Sequence, residues 1–131
     1  MGDTVKYSVG DSPRSAMPGD FNGDGAADIS VANLLSDDVN LLLNDGNGNF
    51  ITSQILPVGV TPCSIITNDL DNEGDLDLAI ANRDEQSISI FYNNGTDTFE
   101  NSVTLSDDGI RAREVRTADF NNDGFVDLVV M

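Results

Sequence analysis

The chain has no histidine and a single cysteine, Cys63. Their scarcity removes a histidine general base, a histidine-ligated zinc and any intrachain disulfide from consideration. Basic residues are scarce too: six Lys and Arg stand against 23 Asp and Glu, giving a net charge of -17. Nucleic acid and anionic lipid both need a cationic face, so neither is an expected partner. No apolar run is long enough to cross a bilayer, which predicts a chain that does not insert into membranes. Nothing at the N-terminus has the charged-then-apolar layout of a secretory signal, so a signal has either been removed or never belonged to this chain. Helical patterning is missing as well, since no segment carries an apolar stripe with caps.

What the chain does have is a repeat. The stretch Asp20-Phe21-Asn22-Gly23-Asp24-Gly25-Ala26-Ala27-Asp28-Ile29 returns from Asp69 to Leu78 and again from Asp119 to Leu128, at steps of 49 and 50 residues. Similarity extends beyond these loops. Val9-Gly10-Asp11-Ser12-Pro13 matches Val58-Gly59-Val60-Thr61-Pro62, and the glycine turn from Asn44 to Phe50 matches the one from Asn93 to Phe99, in which Asp97 stands. Cys63 takes the place of Arg14 and Arg113 and is expected to be an inert, half-buried thiol.

Short β-prone runs lie between clusters of Gly, Asn and Asp: residues 29–32, 39–43, 50–56, 78–81, 88–92, 99–105 and 128–130. Leu78 and Ile80 alternate with Ala79 and Ala81, a pattern suited to a strand packed on both faces with one neighbouring sheet close. Asp45 and Asn94 sit in glycine-rich clusters that supply the left-handed residues of tight turns, so both are read as turn formers. Each unit is expected to have four antiparallel strands, the first near residues 14–19 and running into the acidic loop. Four-stranded units repeating every 40 to 50 residues are the signature of an all-β propeller, and the chain would hold about 2.7 blades. The expected division of this single repeat domain, 1–131, is 1–11 as the last strand of a preceding blade, 12–60 and 61–110 as full blades, and 111–131 as the first half of a third.

The acidic loops carry the chemistry. Oxygen-bearing side chains at positions one, three, five and nine, with glycine at six, form the arrangement that wraps a hard cation such as Ca2+. The candidate ligands are Asp20, Asn22, Asp24 and Asp28 in the first loop, Asp69, Asp71, Glu73 and Asp77 in the second, and Asp119, Asn121, Asp123 and Asp127 in the third. Position seven, at Ala26, Asp75 or Phe125, would offer its carbonyl. Up to three ions per chain would offset about six negative charges. An EF-hand does not fit, because position twelve is Val31, Ile80 or Val130 where that motif keeps a glutamate, and strand follows the loop. Glu73, where the siblings have Asp24 and Asp123, predicts that the second loop is the weakest site.

The loops Asp20 to Gly25 and Asp119 to Gly124, the following Asp28-Ile29 and Asp127-Leu128, and the downstream Asn-x-Gly turns resemble the FG-GAP and VCBS repeats of integrin α-subunit propellers and related surface proteins. The resemblance covers nearly the whole chain. It implies calcium-stabilised blades, with the ion held between the first two strands, and an extracellular or cell-surface module for adhesion or protein interaction. Family propellers have about seven blades. Chains are therefore expected to associate head to tail, or to be an excised or engineered piece of a longer propeller. A carbohydrate-binding, lectin-type propeller is the alternative ligand class. No enzyme activity is expected, because no nucleophile with a partnered base can be named. Arg111, Arg113 and Arg116 gather in this acidic chain; Arg111 and Arg113 are expected to share one strand face, paired with nearby carboxylates or open to an anion.

Overall fold

The computed structural model describes residues 2, 4–96 and 98–131, apart from the side chains of residues 100 and 101. Met1 and Asp3 of the 1–11 segment, and Asp97 of the second glycine turn, lie outside the described residues. The described residues form ten strands: β1 (Pro13–Gly19), β2 (Asp28–Asn33), β3 (Asp38–Asn44), β4 (Phe50–Pro57), β5 (Pro62–Asn68), β6 (Asp77–Asn82), β7 (Ser87–Asn93), β8 (Phe99–Ser106), β9 (Val115–Ala118) and β10 (Asp127–Val130). There is no helix among the described residues. The sheet orders are β1-β2-β3-β4, β5-β6-β7-β8 and β10-β9, with every pairing antiparallel. These are propeller-like blades. The repeat extends to small irregularities: the register shifts between Pro13 and Ser15 in the first blade and between Pro62 and Ser64 in the second.

Two cores hold the sheets face to face. One joins the first and second blades through Phe21, Val39, Leu41 and Leu56 on one side and Ile65, Leu78, Ile80, Phe91 and Phe99 on the other. The other joins the second and third blades through Ile66, Ala79, Ala81, Ile88 and Ile90 against Ala112 and Val115. β6 is therefore buried along its whole length, with Leu78 and Ile80 facing the first blade and the small Ala79 and Ala81 facing the third. The bulky-then-small alternation of this strand reflects two unequal gaps. Each bulky side chain so buried contributes about 1.5–3 kcal/mol.

Residues 4–9, expected as the closing strand of a preceding blade, form no strand. They nevertheless run along the first blade. The Tyr7 hydroxyl donates to the Gly48 carbonyl at 3.1 Å and its ring meets Phe50 edge-on at 5.3 Å, while the Gly10 N–H reaches Asn40 Oδ1 at 2.9 Å. One repeat later, Leu56 packs in the same core as Phe99. The segment thus lies against its blade as β4 lies against the second, but among the described residues its backbone pairs with no strand, and a strand is defined by that pairing.

Candidate metal centre

Each acidic loop joins the first and second strands of a blade: 20–27 between β1 and β2, 69–76 between β5 and β6, 119–126 between β9 and β10. The glycine at position six has φ of 86°, 99° and 91° at Gly25, Gly74 and Gly124. This left-handed backbone turns the loop back on itself. Position four is left-handed too, at Gly23, Asn72 and Asn122. Sequence reasoning missed that second reversal, although Gly or Asn in all three copies is its signal.

The position-one carboxylate organises the loop from inside. Asp20 accepts the N–H groups of Gly23, Asp24 and Gly25; Asp69 accepts those of Glu73 and Gly74; Asp119 accepts those of Asp123 and Gly124. At position nine the carboxylate pins the loop to the sheet. Asp28 takes the N–H of Phe21 at 3.0 Å with one oxygen and that of Asn44, at the end of β3, at 2.9 Å with the other. Asp77 repeats both contacts with Leu70 and Asn93 at 2.8 and 2.9 Å, and Asp127 takes the Phe120 N–H. Asn93 was not foreseen as part of the site, yet its side-chain amide donates to the carbonyls of Phe21 in the first blade and Leu76 in the second. It ties the second loop to the neighbouring blade.

The loops differ in how their acids meet. In the second, oxygens of Asp69, Asp71 and Asp77 lie within 4.8 Å of one another. Two oxygens bound to one Ca2+ at about 2.3–2.6 Å can be at most about 5 Å apart, so this oxygen set fits a single calcium ion. Without a cation the carboxylates repel by at least about 0.9 kcal/mol per pair even at water's dielectric constant. Burial pushes the Asp77 carboxyl above its ordinary range, and Asp71 and Asp69 add to the effect, while the N–H groups of Asn93 and Leu70 oppose it. In the first and third loops position three is Asn. Its amide donates to the position-five acid, from Asn22 to Asp24 at 2.9 Å and from Asn121 to Asp123 at 3.0 Å. The other oxygen of each acid takes the N–H of position seven, Ala26 or Phe125. Among the described residues, the triad of close acidic oxygens belongs to the second loop.

Of the other predicted ligands of that loop, Glu73 stands apart from the triad, and Asp75, expected to offer its backbone carbonyl, turns its side chain elsewhere. Glu73 is exposed, with its N–H shared between Asp69 and Asp71. The Asp75 side chain lies against the next turn, where a Cβ on Gly95 would come 2.9 Å from its Oδ2. Asp45 and Asn94 are turn formers, accepting from Asn47 and Asn49 and from Thr96 respectively. Arg111 and Arg113 do not share a strand face: residues 110–114 form no strand, Arg111 is left-handed with φ of 59° and pairs with Asp84 at 3.4 Å, and Arg116 pairs with Glu114.

The profile of the FG-GAP-like repeat family matches residues 20–80 and again residues 69–130. The chain therefore belongs to the FG-GAP-like repeat family. No curated protein matches it.

Proposed function

We propose that this protein is a calcium-binding, propeller-type module whose ions brace the loops between the first and second strands of each blade. The observation that carries the reading is the Asp69, Asp71 and Asp77 cluster, three carboxylates gathered within 4.8 Å and, among the described residues, in no salt bridge. An ion seated there would link Asp69 and Asp71 on the loop to Asp77, which already holds Asn93 on β7. At an extracellular-type dissociation constant of about 0.1–1 mM and about 1–2 mM free calcium, each site would add about 0.4–1.8 kcal/mol. Such ions are structural. Calorimetric titration of metal-stripped protein with Ca2+ tests this: saturable binding that is lost in Asp69→Ala supports the reading, and no binding overturns it.

The module serves adhesion or protein interaction at the cell surface or outside the cell, as an acidic, loop-rich repeat face would. It is not an enzyme. The loop carboxylates are engaged as braces, and the one thiol is a half-buried group directed at backbone carbonyls of Ala81, Ala112 and Arg113. Copies associate head to tail, each covering apolar surface such as Ile51 and Ile55 on one side of the repeat and Phe120 and Phe125 on the other, which are 57–69% exposed. Light scattering that returned a monomer mass at every concentration would overturn that association.

A further inference from the structure

We infer that the starts of β1 and β5 and the approach to β9 form a binding site for a small oxyanion, a feature separate from the acidic loops and independent of them. Arg14, Arg113 and Arg116 line one open cavity of about 430 Å³ across β1, β5 and the start of β9. These are three of the six cations in a chain of 23 acids. Arg116 is held by Glu114, among the described residues the one carboxylate on the cavity wall. Among the described residues, Arg14 and Arg113 have no acidic partner, although the chain is rich in carboxylates. Two guanidinium groups without counter-ions on one concave surface are positive charges that an anion would pair with.

Hydroxyl groups complete the donor set. Ser15 and Ser64 occupy the same place in successive repeats and both line the cavity. Each accepts an N–H from the next blade, Ile65 to Ser15 Oγ at 3.4 Å and Val115 to Ser64 Oγ at 3.3 Å. Neither hydroxyl donates to any acceptor within the described residues, and Ser64 is only 7% exposed. A buried hydroxyl with its oxygen engaged has a proton left to donate, and the cavity is where an acceptor would complete it. Between the two arginine positions stands Cys63, whose thiol burial pushes toward the neutral form against the opposing pull of Arg83, Arg14 and Arg113. It brings no competing negative charge. The ligand class is a compact oxyanion, such as sulfate or a carboxylate group, received by two arginines and two hydroxyls.

Sulfate is the probe, titrated into the full chain by NMR at ionic strength held constant with NaCl. The site predicts saturable shifts centred on the backbone amides of Ser15, Ser64 and Arg113. Arg14→Gln and Arg113→Gln should each weaken sulfate binding about tenfold, and Ser64→Ala severalfold, whereas Arg111→Gln should leave it unchanged. Melting curves establish that the variants are folded. Shifts that never saturate, or an affinity equal to the parent's in both Arg14→Gln and Arg113→Gln, would overturn the proposal. Because the cavity shares no residue with the acidic loops, sulfate binding would persist even if calcium binding failed.

Discussion

In the first loop Asn22 stands at position three and its amide donates a hydrogen bond to one oxygen of Asp24; in the second Asp71 stands there, and three carboxylates face one another. The backbones are otherwise alike, with the same left-handed glycine, the same inward position-one acid and the same buried position-nine pin. Asp71 for Asn22, together with Glu73 for Asp24 and Asp75 for Ala26, separates a loop whose position-five acid is hydrogen-bonded by an amide from one in which three acidic oxygens lie within 4.8 Å of one another. By sequence pattern Glu73 makes the second loop the weakest of the three sites; under the proposed calcium reading its gathered carboxylates have the most repulsion to relieve.

The largest expected effect removes what the loops share. Asp28→Ala and Asp77→Ala each leave two backbone N–H groups without their acceptor, and each should cost about 2–5 kcal/mol in chemical denaturation. Equal costs support the shared pin; a negligible cost at either position would break it. Next comes the exchange of what differs. Asp71→Asn should raise stability in chelator by about 1 kcal/mol through relief of repulsion and weaken calcium binding, and Asn22→Asp should do the reverse in the first loop. Unchanged stability and affinity in both would remove the electrostatic distinction.

Two carboxylates of the second blade sharpen the contrast through pH. Hydrogen bonding to Arg83, then to Thr61, holds the exposed Asp84 carboxyl down at about 2 against an ordinary 3.8. A depressed value contributes stability above pH 3.8 that is lost as pH falls through about 2. Asp77 has the opposite sign: its value is raised, so its contribution is present below 3.8 and lost as pH rises through the folded value. Carboxyl NMR titration should show Asp84 moving back toward 3.8 in Arg83→Gln while Asp77 stays high. The smallest expected effect is Glu73→Gln, within about 0.5 kcal/mol of the parent in stability, measured in chelator, since that side chain lies outside the triad.

The strands were legible because their boundaries are chemical: Asp-rich loops and glycine turns punctuate apolar runs, and Leu78-Ala79-Ile80-Ala81 announces a strand between two sheets. The loop reversal at Gly25, Gly74 and Gly124 was legible for the same reason. Contacts that close across the sheet were not. Asn93 meets Asp77 from 16 residues away and Phe21 from 72, and nothing local in an Asn before a turn announces either bond. Asp and Asn count as equivalents in a ligand pattern, so the difference between Asn22 and Asp71 emerged only once the amide was seen bound to Asp24. Residues 4–9 have a strand-like sequence and a strand-like position, but backbone pairing belongs to two segments and cannot be read from one. Arg111 was grouped with Arg113 by spacing, and its left-handed backbone sends it instead to Asp84.

The most direct test of the calcium account is thermal unfolding of the full chain in millimolar calcium and in excess chelator. With three sites the melting temperature should fall in chelator by at least about 3 °C, and readdition of Ca2+ should restore it. The same melting temperature in both conditions would contradict the claim that these loops are held by calcium.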